Sequence, residues 1–147
     1  MLPFKAEHLA VLDLQDAQKG ESPPWRDVSV MRSLEGPWSY TGFAARDGIL
    51  RPVVAGGVLQ LWPSTGLAWA FVGRDAGPHL LGMIKRTRAV FATTDFQRIE
   101  AHVHTEFKAG HRLVKAIGFR VETPIKRRNR YDGGDDVGYV MIRGEDF

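Results

Sequence analysis

Apolar residues recur near helical spacing from Ala6 to about Gln18, where Leu9, Val11, Leu12 and Leu14 are interleaved with acids and glutamines. A first helix is expected there, ended by Gly20 and the pair Pro23-Pro24. Trp25, Val28, Met31, Arg32 and Leu34 predict a short second helix, started by those prolines and stopped by Gly36-Pro37. From Trp38 the texture changes to strand. Trp38 to Ala44 and Ile49 to Trp62 are rich in aromatic and branched residues and flank Arg46-Asp47-Gly48, a hairpin signal. Pro63-Ser64-Thr65-Gly66 is a further turn, and Leu67 to Gly73 a third strand of an antiparallel meander.

The second half alternates helix and strand. His79 to about Phe91 carries Leu80, Met83, Ile84, Val90 and Phe91 on one stripe, with Lys85, Arg86 and Arg88 on other faces. Arg98 to His104 alternates strictly, so Ile99, Ala101 and Val103 face one side of a strand and Glu100, His102 and His104 the other. Lys108 to Ile117 reads as a helix stopped by Gly118, followed by a strand from Phe119 to about Thr123, a polar loop at about Ile125 to Asp136 and a last strand from Val137 to Arg143. The order predicts a mixed α/β sheet with helices on its faces and parallel crossovers in the strand, helix, strand segments.

Composition narrows the class. The 147 residues fit one domain spanning 1–147. With 44% hydrophobic and 25% charged residues the chain has the balance of a soluble globular protein. The absence of cysteine excludes disulfides, thiolate metal sites and a thiol nucleophile. The first residues lack the basic start and unbroken apolar stretch of a signal peptide, and no apolar run is long enough to span a bilayer. A soluble cytoplasmic protein with no membrane partner is expected. The net charge of +3 decides nothing about partners by itself.

Candidate chemistry begins where the strand ending at Gly73 passes through Arg74-Asp75-Ala76-Gly77 into a helix opening at Pro78. A helix N-terminus offers unpaired amides and partial positive charge to an anion, Gly77 permits close approach, and Arg74 adds a mobile charge at the rim. The same residues also serve as punctuation between a strand and a helix.

The run Arg74-Asp75-Ala76-Gly77-Pro78-His79 resembles the coenzyme A pyrophosphate loop of the GNAT superfamily of N-acetyltransferases, in which Arg or Gln precedes Gly and a small residue; here His79 takes the last place. Arg98 to His104, followed by Lys108 to Phe119, resembles the family's fifth strand, fourth helix and closing Gly-Phe. Val53 to Gly73, with Gly56-Gly57, Trp62-Pro63 and Trp69, is similar to small acetyltransferase-like proteins of phages and prophages. The resemblance implies an α+β, GNAT-like mixed and largely antiparallel sheet of about six to seven strands, with about four flanking helices and a splayed central strand pair. It implies acetyl-CoA as cofactor, its pantetheine arm lined by backbone of Ala70, Phe71 and Val72. Its pyrophosphate would lie at Arg74, Gly77, Pro78, His79 and Leu80, and Phe107 would stand where the family usually has Asn.

Transfer by direct attack of an amine needs a base, an oxyanion donor and an acid for the departing thiolate. The resemblance implies a backbone amide near Phe71 or Val72 as the oxyanion donor. It also puts Val114 where the family often has an acidic Tyr, and a hydrocarbon cannot move a proton. His104, nearest the strand end, and Glu100 are the candidate catalytic groups, against the reading of an ordinary polar sheet face. A metal held by His102, His104 and His111 lacks a ligand geometry, and no metal is expected. Lys126 to Tyr131, a basic block beside Asp132 to Asp136, reads as a self-neutralised loop ahead of a nucleic-acid grip. Two functions follow: an N-acetyltransferase acting on an amine of a protein, a host protein included, or of a small molecule; or a catalytically inactive GNAT-like phage structural or host-interaction protein. A homodimer is compatible with either.

Overall fold

The computed structural model describes residues 1–19 and 25–147. Among these described residues seven strands form one sheet in the order β1-β2-β3-β4-β5-β7-β6. They are β1 (Leu2–Pro3), β2 (Ser39–Arg46), β3 (Ile49–Trp62), β4 (Thr65–Val72), β5 (Arg98–His104), β6 (Arg120–Lys126) and β7 (Asp136–Ile142). Among the described residues the α-helices are α1 (Ala6–Ala10), α2 (Val28–Met31), α3 (Leu80–Ala92) and α4 (Lys108–Ile117). Every neighbouring pair of strands is antiparallel except β4 and β5. That exception follows from the crossover through α3, which returns the chain in the same direction.

The β2–β3 hairpin closes at Arg46↔Ile49 through Asp47 and Gly48, both at positive φ, the backbone pair that matches the twist of the flanking strands. Helices α1 and α2 pack on one face, where Phe4, Leu9 and Met31 meet Ala55, Phe71 and Trp69. Helices α3 and α4 cover the other, where Phe91 and Ile117 meet Ile99, Ala101 and Val103. The alternation read in Arg98 to His104 therefore holds, and β5 turns Glu100, His102 and His104 toward the α1/α2 side.

Several boundaries differ from the sequence-based expectation. The first helix ends at Ala10 because the chain turns to bury Leu12 and Leu14 against the end of β4, leaving only a 3-10 turn at Asp16–Gln18. Gly20, Pro23 and Pro24 lie outside the described residues. The second helix starts instead at Asp27, whose carboxylate accepts the Ser29 N–H at 3.0 Å, and it passes into a 3-10 turn at Arg32–Leu34. The helix expected from Pro78 is 3-10 from Arg74 to His79 and α-helical only from Leu80. Strand β6 runs on to Lys126, beyond the expected end near Thr123. No helix among the described residues is long and apolar enough to cross a membrane.

Candidate functional site

Strands β4 and β5 pair only at Thr65↔Arg98, Gly66↔Ile99 and Leu67↔Glu100. Beyond Leu67 they part, although β4 continues to Val72 and β5 to His104. A cavity of about 490 Å³ lies at the gap and is lined by residues from both faces of the sheet. On the α3/α4 side Leu80, Met83, Phe107, Leu113 and Val114 line it; on the α1/α2 side Val30, Met31, Leu34, Trp69 and His102 do so.

What keeps the strands apart is the chain itself. The segment from Leu12 to Gln18 lies along the edge of β4 that β5 leaves open. Asp13 C=O accepts the Arg74 N–H at 2.8 Å, and Val72 C=O accepts the Gln15 N–H at 3.4 Å. The Gln18 carboxamide completes the contact, accepting the Val72 N–H at 2.7 Å and donating to Ala70 C=O at 3.0 Å. A side-chain amide thus pairs with β4 as a neighbouring strand would. Gly73 permits this approach, since a Cβ there would lie 2.8 Å from Val53 C=O and 3.2 Å from Leu12.

Ala70, Phe71 and Val72 all line the cavity, but their backbone groups do not all face the gap. Ala70 and Val72 do turn their polar groups to the gap, and alternation then turns those of Phe71 toward β3, with Ala55 opposite. Val72 N–H is the gap-facing amide, and Gln18 occupies it. At the turn, Arg74 is held by Asp16 at 2.6 Å and Asp13 at 3.4 Å rather than standing loose at the rim. Ala76 N–H bonds to Gly73 C=O, Leu80 N–H to Gly77 C=O, and Pro78 has none to offer. The α-helix begins at Leu80, so the amides without an i−4 partner move along to its first turn, at Leu81 and Gly82. Both Gly77 and Gly82 face open space.

The polar face of β5 divides into three distinct environments. Glu100 is bound by Arg98, at 3.0 Å and 2.7 Å, and Arg98 is bound again by Glu122. His104 accepts the Glu106 N–H on Nδ1 at 3.0 Å. Neither residue lines the cavity. His102, between them, does line it, and its Nδ1 is buried without a hydrogen-bond partner. Burial, aided by the Lys126 charge, holds its pKa below the ordinary imidazole range, so the ring is neutral at neutral pH. Trp69 Nε1 is likewise buried without a partner and also lines the cavity. The sequence signal for His102 was the same alternation that nominated His104; alternation alone does not tell which of them lines the cavity.

His111 stands on the opposite face. Its Nε2 donates to Thr105 C=O at 3.0 Å, which leaves Nδ1 to accept the Tyr139 hydroxyl at 2.7 Å. Tyr139 pairs with Ala101 and so shares the α4 side of the sheet, away from His102 and His104. The three histidines do not converge. The Arg127 to Asp136 loop is self-neutralised as its sequence suggested, but Arg130 is not a surface grip. Its side chain is 5% exposed, and it pairs with Asp132 at 3.2 Å and with buried Asp136 at 3.5 Å.

No protein-family model matches the chain, and no curated protein matches it by sequence. Solved structures do. An acetyltransferase (GNAT family) from Bacillus anthracis superposes with a TM-score of 0.67 at 15% identity, over 95% of this chain and 90% of that one. The ribosomal-protein-S5-alanine acetyltransferase from Vibrio fischeri gives 0.66 at 10% identity, over 99% and 93%. The yncA protein from Salmonella typhimurium, solved with its cofactor acetyl-CoA, gives 0.54 at 12% identity, over 63% and 58%. The chain has the GNAT fold.

Proposed function

We propose that the chain is an N-acetyltransferase that carries an acetyl group from acetyl-CoA to an amine by direct attack, in the cytoplasm. The observation that carries this reading is the parting of β4 from β5 after Leu67, with the cavity lying at the gap and lined from both faces. A linear thioester can enter such a gap from one side while an amine meets it from the other. The yncA structure, a GNAT fold holding acetyl-CoA, supports the choice of cofactor.

The residues present fit the group. Ala70 C=O and Val72 N–H offer one acceptor and one donor in line, which is what an amide-bearing arm needs, and Gln18 already demonstrates the pairing. Phe107, Leu80, Met83 and Val114 supply apolar wall. The amides that open α3, with Gly77 beside them, suit a diphosphate through the helix dipole. Arg74, Pro78 and His79 frame that turn. Bound there, acetyl-CoA would supply the thioester as acetyl donor, its C–S bond exchanged for a C–N bond to the amine.

The chain's own task is to move protons. His102 is neutral and lines the cavity, which makes it the group placed to accept the proton that the amine must lose. The imidazolium so formed holds a proton for the leaving thiolate, which balances the step without a tyrosine at position 114. Glu100, engaged by Arg98, acts on His102 through its charge, and His104 is engaged by the Glu106 N–H.

A second reading, a catalytically silent phage structural or host-interaction protein, is favoured by Val114 and by the Gln18 contact that closes the β4 edge. One experiment separates the two. Purified protein is titrated with coenzyme A and then assayed for thiol release from acetyl-CoA with a panel of amines and a host lysate. Binding with thiol release supports the enzyme, binding without release the silent module, and no binding at millimolar coenzyme A defeats both.

A further inference from the structure

A second groove, of about 430 Å³, lies between α4 and strands β6 and β7, and it shares no lining residue with the cavity between β4 and β5. Its wall is Lys108, Arg112 and Lys115, all exposed, at the i, i+4, i+7 spacing that sets them in one row along the helix. Its floor is Val121, Pro124 and Val137, with Val121 45% exposed. In the free protein the row is electrostatically unfavourable. Cations at these spacings repel, and Lys108 opens a helix whose first turn already carries partial positive charge. Helix α4 holds no acid of its own, and acids on β6, on β7 and beyond it are engaged elsewhere. Arg98 binds Glu122 at 2.7 Å, Arg120 binds Glu145 at 2.7 Å, and Arg130 binds Asp136 at 3.5 Å. Among the described residues no carboxylate pairs with Lys108, Arg112 or Lys115.

A ligand that relieves the row brings anions, and one that covers the floor brings apolar side chains. Nucleic-acid backbone supplies the first without the second, whereas a peptide of alternating acidic and apolar residues supplies both. The spacing also suits a peptide: the cations rise about 6 Å and then about 4.5 Å along α4, close to the roughly 6.6 Å between alternate residues of an extended chain. Addition of that chain to the outer edge of β6 is disfavoured by Pro124 and by the two register irregularities of β6, which leaves side-chain contacts across the groove. We propose that the groove between α4 and β6 docks an acidic and apolar segment of a partner protein, its carboxylates meeting Lys108, Arg112 and Lys115 and its apolar side chains covering Val121 and Pro124. Docking there is independent of acetyl transfer, because the groove and the cavity are lined by different residues.

The test is fluorescence anisotropy of a short fluorescein-labelled peptide of alternating Glu and Leu titrated with the whole protein, beside a Glu-Ser peptide of equal charge, a Lys-Leu peptide and a single-stranded oligonucleotide. The Glu-Leu peptide is expected to bind at least about tenfold tighter than each of the others. Arg112→Glu is expected to weaken it by at least about tenfold, since a repulsive charge replaces an attractive one. Val121→Ser is expected to weaken it by about three- to tenfold through loss of apolar contact. Both residues are exposed, and coenzyme A affinity is expected to stay within about twofold in both variants. Should Val121→Ser fail to fold, the Glu-Ser peptide asks the same question of the wild-type protein. Absence of Glu-Leu binding at millimolar protein, equal binding by the oligonucleotide or the Glu-Ser peptide, or undiminished affinity in Arg112→Glu overturns the proposal. A matching loss of coenzyme A affinity in Arg112→Glu overturns it as well, because the row then serves the cofactor. Peptide binding by a protein that takes up no coenzyme A leaves the docking groove standing and removes acetyl transfer alone.

Discussion

Gln18 accepts the Val72 N–H at 2.7 Å, so one side chain occupies the edge of β4 at the place where β5 has moved away. The contact explains how an open strand edge stays satisfied, and it sets up a competition. A ligand that pairs with Ala70 and Val72 must displace the carboxamide of Gln18.

Gln18→Ala therefore has opposite effects on two measurements. Loss of the hydrogen bonds to Val72 and Ala70 lowers stability by about 1–2 kcal/mol in chemical denaturation. Coenzyme A affinity rises by about three- to tenfold, because the edge is already free. A fall in both quantities would mean that Gln18 supports the cleft rather than competes for it.

His102→Asn is expected to lower kcat by about 10²- to 10⁴-fold while leaving coenzyme A affinity within about twofold. The wild-type rate should fall only below the ordinary imidazole value near 6.5, because burial depresses the His102 pKa and keeps the base available above it. The sign for stability follows from the same shift. As pH falls below about 6.5 the unfolded chain takes up a proton that folded His102 resists, so stability declines until the folded pKa is also passed. In His102→Asn that component of the acid-side decline is reduced, which denaturant titration between pH 7 and pH 5 measures.

Much of the fold was readable because its signals are local. Asp47-Gly48 specifies the hairpin turn, Gly118 ends α4 at φ +123, and strict alternation defines β5 and its two faces. The candidate site was readable only as a region. Which histidine faces the gap depends on where two strands diverge, and the Arg74 and Gln18 contacts join residues 58 and 54 positions apart. Periodicity carries no information about such pairings. Leu9 to Leu14 shows the same limit: the helical spacing is real, yet burial of Leu12 and Leu14 beside Gly73 overrides it.

Gly110→Ala tests the packing that fixes one wall. A Cβ there would lie 2.6 Å from Phe107 Cδ1 and 2.8 Å from Val103 Cγ1, so α4 must lift from β5 or Phe107 must turn. Stability is expected to fall by about 1–3 kcal/mol in chemical denaturation, with coenzyme A affinity falling as well.

Asp136→Asn leaves Arg130 without one carboxylate in a nearly enclosed place and weakens the anchor that Asn129 Nδ2 makes to Asp136 at 3.0 Å. Removal of one partner of such a buried pair is expected to lower stability by about 3 kcal/mol. The same change at exposed Asp75, which meets Arg46 at 3.4 Å, should alter stability by less than about 1 kcal/mol. Chemical denaturation of the two variants side by side measures the difference.

The most direct measurement is calorimetric titration of acetyl-CoA into the wild-type protein and into Val114→Trp, whose larger ring would fill the gap between the parted strands. The account predicts saturable binding of one molecule per chain and its loss in the variant. Absence of binding at millimolar acetyl-CoA, or equal binding by a folded Val114→Trp protein, would contradict it.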